Sequence, residues 1–354
     1  MKILQVINQL EGGGAEKLVR QLHGRFLKRN HAVLTLALRG AAPESPGFHS
    51  LGLNRFSSPL TWMNFRKQLT KVLDENQFSP DVVHSHLTQS QFLTPRLFPR
   101  ERKAPVWFTT EHDTENKRRR HWLGKAFDKR LYSRYAAIIA ISDAVADSLT
   151  AWLPSLRGKV LTIPNGIDLQ EWEPCGRKFD GTLRIVSVGR LVRKKNMDGL
   201  LKAVAELDVP WVLTIAGAGD EETNLRTLAR DNGFESRVEF VGHVADVRSL
   251  YAAVDVAVLF SRYEGFGLAA VESMASGIPT IVSDVPGLRE VAGSGLPKVN
   301  PNDPIELARE LERVAADADY RKNLAEEGLE RSKNFDIGKM ADAYLQIYQQ
   351  HEQR

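Results

Sequence analysis

Short apolar runs rich in Val, Ile and Leu alternate with stretches of helical periodicity along this chain, and this alternation restricts the fold more than any other feature. Strands that are apolar at nearly every position are typical of a parallel sheet covered by helices on both faces. The predicted strands of a first series are residues 2–8, 33–38, 82–86, 106–112, 137–142 and 160–164.

The same pattern starts again after residues 173–181, a stretch that contains Pro and Gly. Its predicted strands are residues 183–189, 212–217, 238–242, 256–261 and 280–283. A chain of 354 residues is also longer than a single hydrophobic core commonly supports. We therefore predict an α/β protein of two Rossmann-like, doubly wound domains, residues 1–168 and 169–335, with a hinge near Asn165-Gly166.

Residues 336–354 have the spacing of one amphipathic helix. Its apolar stripe consists of Ile337, Met340, Ala341, Tyr344, Ile347 and Tyr348. Such a stripe needs a cover, and we expect this helix to pack back on the first domain.

The composition narrows the class of protein. A single cysteine, Cys175, excludes an internal disulfide framework and a cysteine metal cluster. A net charge of +4 does not indicate a nucleic-acid partner. The opening residues, MKILQVINQLEGGG, form a predicted strand and not a secretory signal, and no run approaches the ~18 apolar residues of a membrane span. We expect a cytoplasmic protein, or one bound peripherally to the inner face of the cell membrane.

The most informative segment is residues 261–279, SRYEGFGLAAVESMASGIP. A predicted strand ends near Ser261 and a helix begins near Gly267, so unpaired N–H groups at the helix start suit a diphosphate. Glu264 and Glu272 can face the same site, because a carboxylate accepts hydrogen bonds from ribose hydroxyls or stabilises positive charge at an anomeric carbon. Taken alone, each glutamate is equally consistent with a solvated loop or helix position.

The whole string resembles the E-x7-E signature of retaining glycosyltransferases of family 4, with Gly-Phe-Gly inside it and a Met-Ala-x-Gly-x-Pro run after it. The resemblance covers the C-terminal half, with weaker matches in the N-terminal half. It implies a GT-B fold, whose two domains face each other across a cleft, and sugar transfer from a nucleotide diphosphate donor with retention of configuration. The donor contacts implied on this segment are Glu264, Gly265, Phe266, Gly267, Leu268 and Glu272.

Upstream, residues 187–196 read SVGRLVRKKN at a predicted strand-to-helix junction. Arg190 and Lys195 can grip a diphosphate there and neutralise the charge on a leaving group, as the matching residues do in the resembled family. A basic cluster at a helix start is more often solvated surface. A bound anion would better explain cations that oppose the helix dipole.

The first loop, with Gly12, Gly13 and Gly14, is not a dinucleotide fingerprint, because the third glycine of that pattern is missing. The resemblance implies donor contacts for Gly13 and Gly14 and an acceptor contact for Glu16. The alternative for Glu16 is a surface carboxylate in a first helical turn.

His112 follows a predicted strand, and the resemblance implies a position near the transferred sugar and the acceptor. His84 and His86 have a spacing that suits a metal, but a third ligand is missing, so we treat them as lining. The resemblance also implies that His243 and Val244 hold the base through backbone groups. A lone histidine at a strand end is structural about as often as it is functional.

A metal-dependent transferase is expected to carry Asp-x-Asp at a strand end. The match in this chain, Asp317 and Asp319, falls in an alanine-rich helical stretch, so we predict no metal and no cofactor.

The predicted enzyme moves a hexose from a UDP-sugar, with GDP-mannose as second choice, to a hydroxyl of a saccharide or lipid-linked acceptor. The predicted catalytic residues are Glu264, His112, Arg190 and Lys195. A nucleotide-sugar epimerase and a non-catalytic sugar-nucleotide-binding protein on the same fold stay open. An NAD oxidoreductase is disfavoured, because the first loop and the segment from Gly217 to Glu222 both lack the third glycine of the dinucleotide pattern.

Residues 117–132 interleave cations with aromatic and aliphatic side chains. This pattern predicts contact with an anionic membrane through Arg118, Arg119, Arg120 and Trp122. The alternative is that the apolar residues pack on the sheet and the cations are solvated.

Overall fold

The computed structural model describes residues 1–53, 59–99, 104–114, 119 and 122–352. For residues 59, 60, 122 and 123 it describes the backbone and not the side chain. The chain divides into two compact units. The first is Met1–Gly166 together with the segment from Ile337 onward, and the second is Ile167–Asp336.

The first unit contains a seven-stranded parallel sheet in the order β3-β2-β1-β4-β5-β6-β7. Its strands are β1 (Lys2–Ile7), β2 (Ala32–Ala37), β3 (Phe48–Ser50), β4 (Val82–His86), β5 (Val106–Glu111), β6 (Ala137–Ala140) and β7 (Val160–Thr162). Its helices are α1 (Gly14–Leu27), α2 (Pro59–Glu75), α3 (Thr88–Leu97), α4 (Trp122–Tyr132), α5 (Asp143–Trp152) and, from the far end of the chain, α13 (Ile337–Glu352).

Helix α13 covers one face of the first sheet. Its residues Tyr344 and Tyr348 are fully buried in a cluster that also contains Phe26 and Phe108. The Arg29 guanidinium on the segment after α1 binds the Asp342 carboxylate at 2.9 Å, which fixes the outer side of the helix. Complete burial of such aromatic side chains makes α13 part of the core of this unit.

The second unit contains a six-stranded sheet in the order β10-β9-β8-β11-β12-β13, again parallel throughout. Its strands are β8 (Leu183–Val188), β9 (Trp211–Ala216), β10 (Val238–Gly242), β11 (Val256–Leu259), β12 (Thr280–Ser283) and β13 (Lys298–Val299). Its helices are α6 (Met197–Ala205), α7 (Glu222–Asp231), α8 (Arg248–Ala252), α9 (Leu268–Ala275), α10 (Pro286–Ala292), α11 (Pro304–Ala316) and α12 (Ala318–Ser332).

The two parallel sheets confirm the predicted α/β class, and the predicted strands lie where the apolar runs placed them. Most of them end one or two residues earlier than predicted. The short edge strands β3 and β13 were not predicted. Among the described residues, no helix combines the length and the apolar character needed to cross a membrane.

Candidate functional site

Arg262 links the loop that follows β8 to the loop that follows β11, at the carboxyl ends of these strands of the second sheet. Its backbone N–H donates to the Lys194 carbonyl at 2.8 Å, and its guanidinium donates to the Arg193 carbonyl at 3.0 Å and to the Asp198 carboxylate at 3.0 Å. Residues 193–195 form one turn of 3-10 helix. Arg262 therefore fixes this turn against the loop that carries Glu264.

An ion pair between Lys195 and Glu264 lies between the two joined loops. The Lys195 ammonium donates to the Glu264 carboxylate, and the two side chains are only 15% and 13% exposed. Partial shielding from water strengthens the attraction between the two charges. The pair places a cation and a carboxylate side by side beyond the carboxyl ends of β8 and β11.

The turn before α9 matches the predicted helix start. Gly267 has a φ of 101°, a left-handed conformation that favours glycine, and it is the N-terminal cap of α9. A Cβ at Gly287, in the first turn of α10, would lie 2.4 Å from the Glu264 carbonyl oxygen, so α10 supports the turn closely. The N–H groups at the start of α9 are thus held in a fixed position.

The residues that follow Glu264 differ in how deeply they are buried. Phe266 is buried and its ring meets that of Phe335 edge to face, with 5.4 Å between centroids. Only the backbone of Phe266 is therefore left for the predicted donor contact. Gly265 is buried and Leu268 is half-buried.

Glu272 lies in α9 and is buried, with 8% of its surface exposed. Burial and, after it, the Glu272 carboxylate raise the pKa of Tyr251 well above its usual value, so Tyr251 stays neutral. The Tyr251 hydroxyl donates to the Ala269 carbonyl at 3.1 Å. Glu272 is thus a shielded carboxylate next to a neutral phenol, and not the solvated helix residue of the alternative interpretation.

The ends of β8, β9 and β10 are also tied together. The Gly217 N–H donates to the Gly242 carbonyl at 2.7 Å, and a Cβ at Gly217 would lie 1.9 Å from the Gly189 carbonyl oxygen. Arg190 follows Gly189 and is exposed. His243 is exposed and Val244 is half-buried, both directly after β10.

Several groups of the second unit therefore lie beyond the carboxyl ends of its strands. They are the cations Arg190 and Lys195, the carboxylates of Glu264 and Glu272, and the start of α9. Such a set can bind a diphosphate through its cations and N–H groups and can bind hydroxyls through its carboxylates.

In the first unit, Glu16 has a structural role that the sequence alternatives did not include. Its carboxylate accepts the Gly13 N–H at 3.1 Å in a capping box at the start of α1, and the residue is buried. Glu16 is therefore not the surface carboxylate of the alternative, and the acceptor contact implied for it stays a prediction. Gly13 caps this helix and Gly14 begins it.

The histidines of the first unit form a row at the carboxyl ends of β4 and β5. The rings of His84 and His86 stack with centroids 4.3 Å apart, and the His86 and His112 centroids are 5.7 Å apart. Burial lowers the pKa of His84 to about 3 and that of His112 to about 4, and it lowers the pKa of His86 well below its usual value. The row is therefore uncharged near neutral pH.

The partners of these imidazoles differ. The two ring nitrogens of His84 bond to the Tyr348 hydroxyl and, at 2.8 Å, to the Thr110 hydroxyl, so His84 is part of the packing of α13. The ring nitrogens of His86 and the Nε2 of His112 are shielded from solvent with no hydrogen-bond partner among the described residues. Within those residues, no group of three or more His, Cys, Asp or Glu side chains is placed to hold a metal.

The structure corrects the prediction for Arg119, which was expected at a membrane surface. Its side chain is only 8% exposed and bonds to the Glu111 carboxylate at 3.1 Å and to the Ser148 hydroxyl at 3.2 Å. Glu111 also accepts from Gln91 at 2.8 Å and from Tyr132 at 2.7 Å. Such a buried, multiply bonded guanidinium cannot meet lipid phosphates.

The other predicted membrane contacts are less completely described. Arg118 and Arg120 lie outside the described residues, and Trp122 begins α4 with its side chain outside them. Asp317, from the Asp-x-Asp match, caps α12 by accepting the Tyr320 N–H at 2.9 Å, which is a structural role.

Sequence reasoning missed Arg262, Asp198, Tyr251 and Glu111. Arg262 is two residues before Glu264 in the informative segment, and this position was the available signal. Asp198 and Tyr251 bond to residues 64 and 18 positions away, and Glu111 bonds to Gln91 and Tyr132 on other elements, so no local pattern could reveal them.

Comparison with known proteins supports this description of the two units. Residues 170–331 match the family model of glycosyl transferases group 1, and residues 12–171 match that of Glycosyltransferase Family 4. Glycogen synthase of Mycobacterium tuberculosis is 28% identical over 297 residues, which cover 79% of this chain and 71% of that protein.

Two solved structures have a similar fold. Sucrose-phosphate synthase from Thermosynechococcus elongatus superimposes with a TM-score of 0.84 at 23% identity over 99% of both chains. HepE from Anabaena, in complex with UDP and glucose, has a TM-score of 0.83 at 19% identity over 99% of this chain and 100% of that one.

Proposed function

Because the chain belongs to glycosyltransferase family 4 and has the GT-B fold, we propose that this glycosyltransferase moves a hexose from a nucleotide diphosphate sugar, with retention of configuration and without a metal ion. The proposed acceptor is a hydroxyl of a saccharide or of a lipid-linked saccharide, as in the synthesis of a cell-surface polysaccharide or glycolipid.

The observation that carries this proposal is the Lys195–Glu264 pair beside the start of α9. Lys195 and the exposed Arg190 supply the positive charge that a leaving diphosphate requires. The N–H groups from Gly265 to Leu268 bind the phosphate oxygens, and Glu272 accepts from the ribose hydroxyls.

Glu264 faces the sugar side of the donor in this proposal. The bond between the anomeric carbon and the diphosphate oxygen breaks as the acceptor oxygen bonds to the same carbon from the same face. The departing phosphate takes the acceptor proton, and the Glu264 carboxylate stabilises the positive charge that develops on the sugar ring. His243 and Val244 bind the base through their backbone, so the shape of the site, and not these two side chains, selects the base.

We propose UDP as the nucleotide and GDP-mannose as the second choice. HepE, which was solved with UDP and glucose, has the same fold, and this likeness favours a UDP-sugar. On the first unit, His112 is the proposed acceptor contact, and Gly13 and Gly14 stay predicted donor contacts. Glu16 acts through the cap of α1 and supports the glycine loop.

The first experiment measures thermal unfolding with UDP, GDP and their sugars, because a ligand that binds the folded state raises its stability. A UDP-sugar should stabilise the protein, and Glu272→Ala should abolish that shift. Arg230→Ala is a matched control, since Arg230 lies on α7 and its side chain is 62% exposed.

The second experiment follows the sugar itself. Labelled donor incubated with candidate saccharide acceptors should yield a glycoside with the anomeric configuration of the donor. Turnover of the donor without a glycoside would favour an epimerase, and binding without turnover would favour a non-catalytic protein. Inversion of the anomeric centre would overturn the retaining mechanism.

A further inference from the structure

Helices α2, α3 and α4 of the first unit share an exposed aromatic face, defined by Trp62, Met63, Phe92 and Phe127. The exposed fractions of Trp62, Met63 and Phe127 are 37%, 72% and 37%. The ring centroids of Trp62 and Phe92 are 6.2 Å apart, and those of Phe92 and Phe127, which stack, are 5.2 Å apart. The rings of Trp62, half-buried Phe92 and Phe127 therefore form one continuous cluster, and the exposed Met63 follows Trp62 in α2.

A cluster of arginines borders the aromatic face. The Arg96 guanidinium lies over the Phe92 ring at 4.0 Å from its centroid, and Arg130 and Arg134 at the end of α4 are exposed. The Arg134 guanidinium donates to the Pro95 carbonyl at 3.0 Å, next to Arg96. Burial and then the nearby charges of Arg134 and Arg130 lower the pKa of Arg96. Three like charges repel one another in this arrangement, and an anionic partner would remove that cost.

The acidic residues of these helices lie away from the face. Asp128, the acidic residue of α4, is buried and accepts from the Trp152 indole at 3.1 Å. The acidic residues of α2, Asp74 and Glu75, stand at the end of that helix opposite to Trp62 and Met63. The aromatic face therefore combines exposed apolar groups with three arginines, Arg96, Arg130 and Arg134, for which the described residues provide no carboxylate partner.

We propose that the aromatic face and its arginine cluster dock the first unit on an anionic lipid bilayer. A soluble polyanion would satisfy the arginines and leave Met63 and the aromatic rings in water, whereas a bilayer interface accommodates both. This surface replaces the sequence-predicted contact through Arg119. The inference goes beyond the proposed sugar transfer and does not depend on which donor the second unit binds.

Flotation with vesicles of phosphatidylcholine, with or without phosphatidylglycerol, tests the docking. The protein should float with the phosphatidylglycerol vesicles at low salt and lose most of that binding at high salt, as charges are screened. The variant Met63→Ser/Phe127→Ser should reduce the bound fraction at least about fivefold, because insertion of apolar groups contributes to interfacial binding. The matched control is Val212→Ser/Ile305→Ser, which removes apolar residues of the second unit that are 38% and 51% exposed.

The contribution of charge is tested by Arg130→Ser/Arg134→Ser. Its control, Arg230→Ser/Lys322→Ser, removes the same net charge from side chains of the second unit that are 62% and 72% exposed. The first variant should lose binding to anionic vesicles and the control should keep it. Stabilisation by UDP should persist in all four variants, so a failure of the docking and a failure of the proposed function are distinguished.

Three results would overturn the docking. They are absence of flotation at low salt, equal binding to both kinds of vesicle, and loss of binding in the arginine variant with full binding in Met63→Ser/Phe127→Ser. The last of these would indicate a surface that recognises a polyanion by charge alone. A fluorophore on Met63→Cys in a Cys175→Ser background gives a readout that tolerates weakened folding, because its emission should shift to the blue only where the side chain enters lipid.

Discussion

The Lys195–Glu264 pair predicts an unusual result, in which a second substitution restores nucleotide binding that a first one has weakened. Lys195→Met removes a cation from the diphosphate site and leaves the Glu264 carboxylate without its partner. Glu264→Gln removes the negative charge and keeps an oxygen that accepts from Lys195. The two variants therefore change the charge of the site in opposite directions.

The burial of the pair sets the magnitude. Exposed ion pairs are worth about 0.2–1 kcal/mol, whereas removing one partner of a buried pair costs about 3–5 kcal/mol. With side chains 15% and 13% exposed, this pair is nearer to the second case. That cost falls on the stability of the folded protein. UDP itself loses one charge-assisted contact, so we expect Lys195→Met to weaken UDP binding by about 1.5–3 kcal/mol, or about 13-fold to 160-fold in Kd.

Part of that loss is repulsion between the unpaired carboxylate and the diphosphate, which at an effective dielectric constant near 20 is on the order of 1 kcal/mol or more. Lys195→Met/Glu264→Gln should therefore bind UDP about fivefold or more tightly than Lys195→Met. Glu264→Gln alone should bind UDP at least as well as the unchanged protein and should transfer sugar at least about tenfold more slowly.

Isothermal titration calorimetry with UDP gives the dissociation constants, and release of UDP from the sugar donor gives the rate. Lys322→Met and Glu326→Gln are matched controls, because this pair on α12 is 72% and 65% exposed. They should change UDP binding by less than about 0.5 kcal/mol. The reasoning is refuted if the double variant binds UDP no better than Lys195→Met.

Further outcomes follow from the geometry of each unit. Arg262→Gln should lower kcat more than it raises the KM for donor, since it loosens the turn that carries Lys195, and the loss in kcat/KM should correspond to about 1–2 kcal/mol. Steady-state kinetics with Lys322→Gln as control checks this, and an unchanged kcat would contradict it. Gly217→Ala should destabilise the second unit by about 3 kcal/mol or more, because its Cβ would overlap the Gly189 carbonyl, and urea unfolding followed by near-UV circular dichroism would show an unchanged midpoint if this is wrong. The first unit should lose stability as the pH falls below about 6.5, because the unfolded chain takes up protons that the buried histidines, with pKa values of about 3 for His84 and about 4 for His112, exclude; a urea midpoint that stays constant between neutral and mildly acidic pH would refute it. Sugar transfer should persist in excess EDTA, since the cations of the site neutralise the leaving group, and loss of activity with rescue by Mn²⁺ or Mg²⁺ would rule out a metal-free mechanism.

The fold could be predicted from the sequence, because most strands are runs of several consecutive apolar residues. β3 and β13 have three and two residues, too few to show any periodicity, and only pairing with a neighbouring strand defines them. The helix start at Gly267 could be predicted because glycine, strand end and apolar helix follow each other directly in the sequence.

The candidate site could be predicted residue by residue but not as a set of contacts. Lys195 and Glu264 are 69 residues apart, and nothing local to either indicates that they form a pair. The error on Arg119 has a different origin, because its partner Glu111 lies only eight residues away. A run of cations is typical of a surface, and the sequence does not show that Glu111 is buried and is also bonded to Gln91 and Tyr132 from other elements.

The return of α13 to the first unit also has a consequence for biosynthesis. The chain passes between the units twice, after Gly166 and again after Asp336, so the second unit is an uninterrupted segment and the first is not. As the ribosome proceeds, residues 167–336 can complete their own core while Phe26 and Phe108 still lack the tyrosines of α13. Domains fold as units during translation. The half of this protein that is translated first is therefore the half that is finished last.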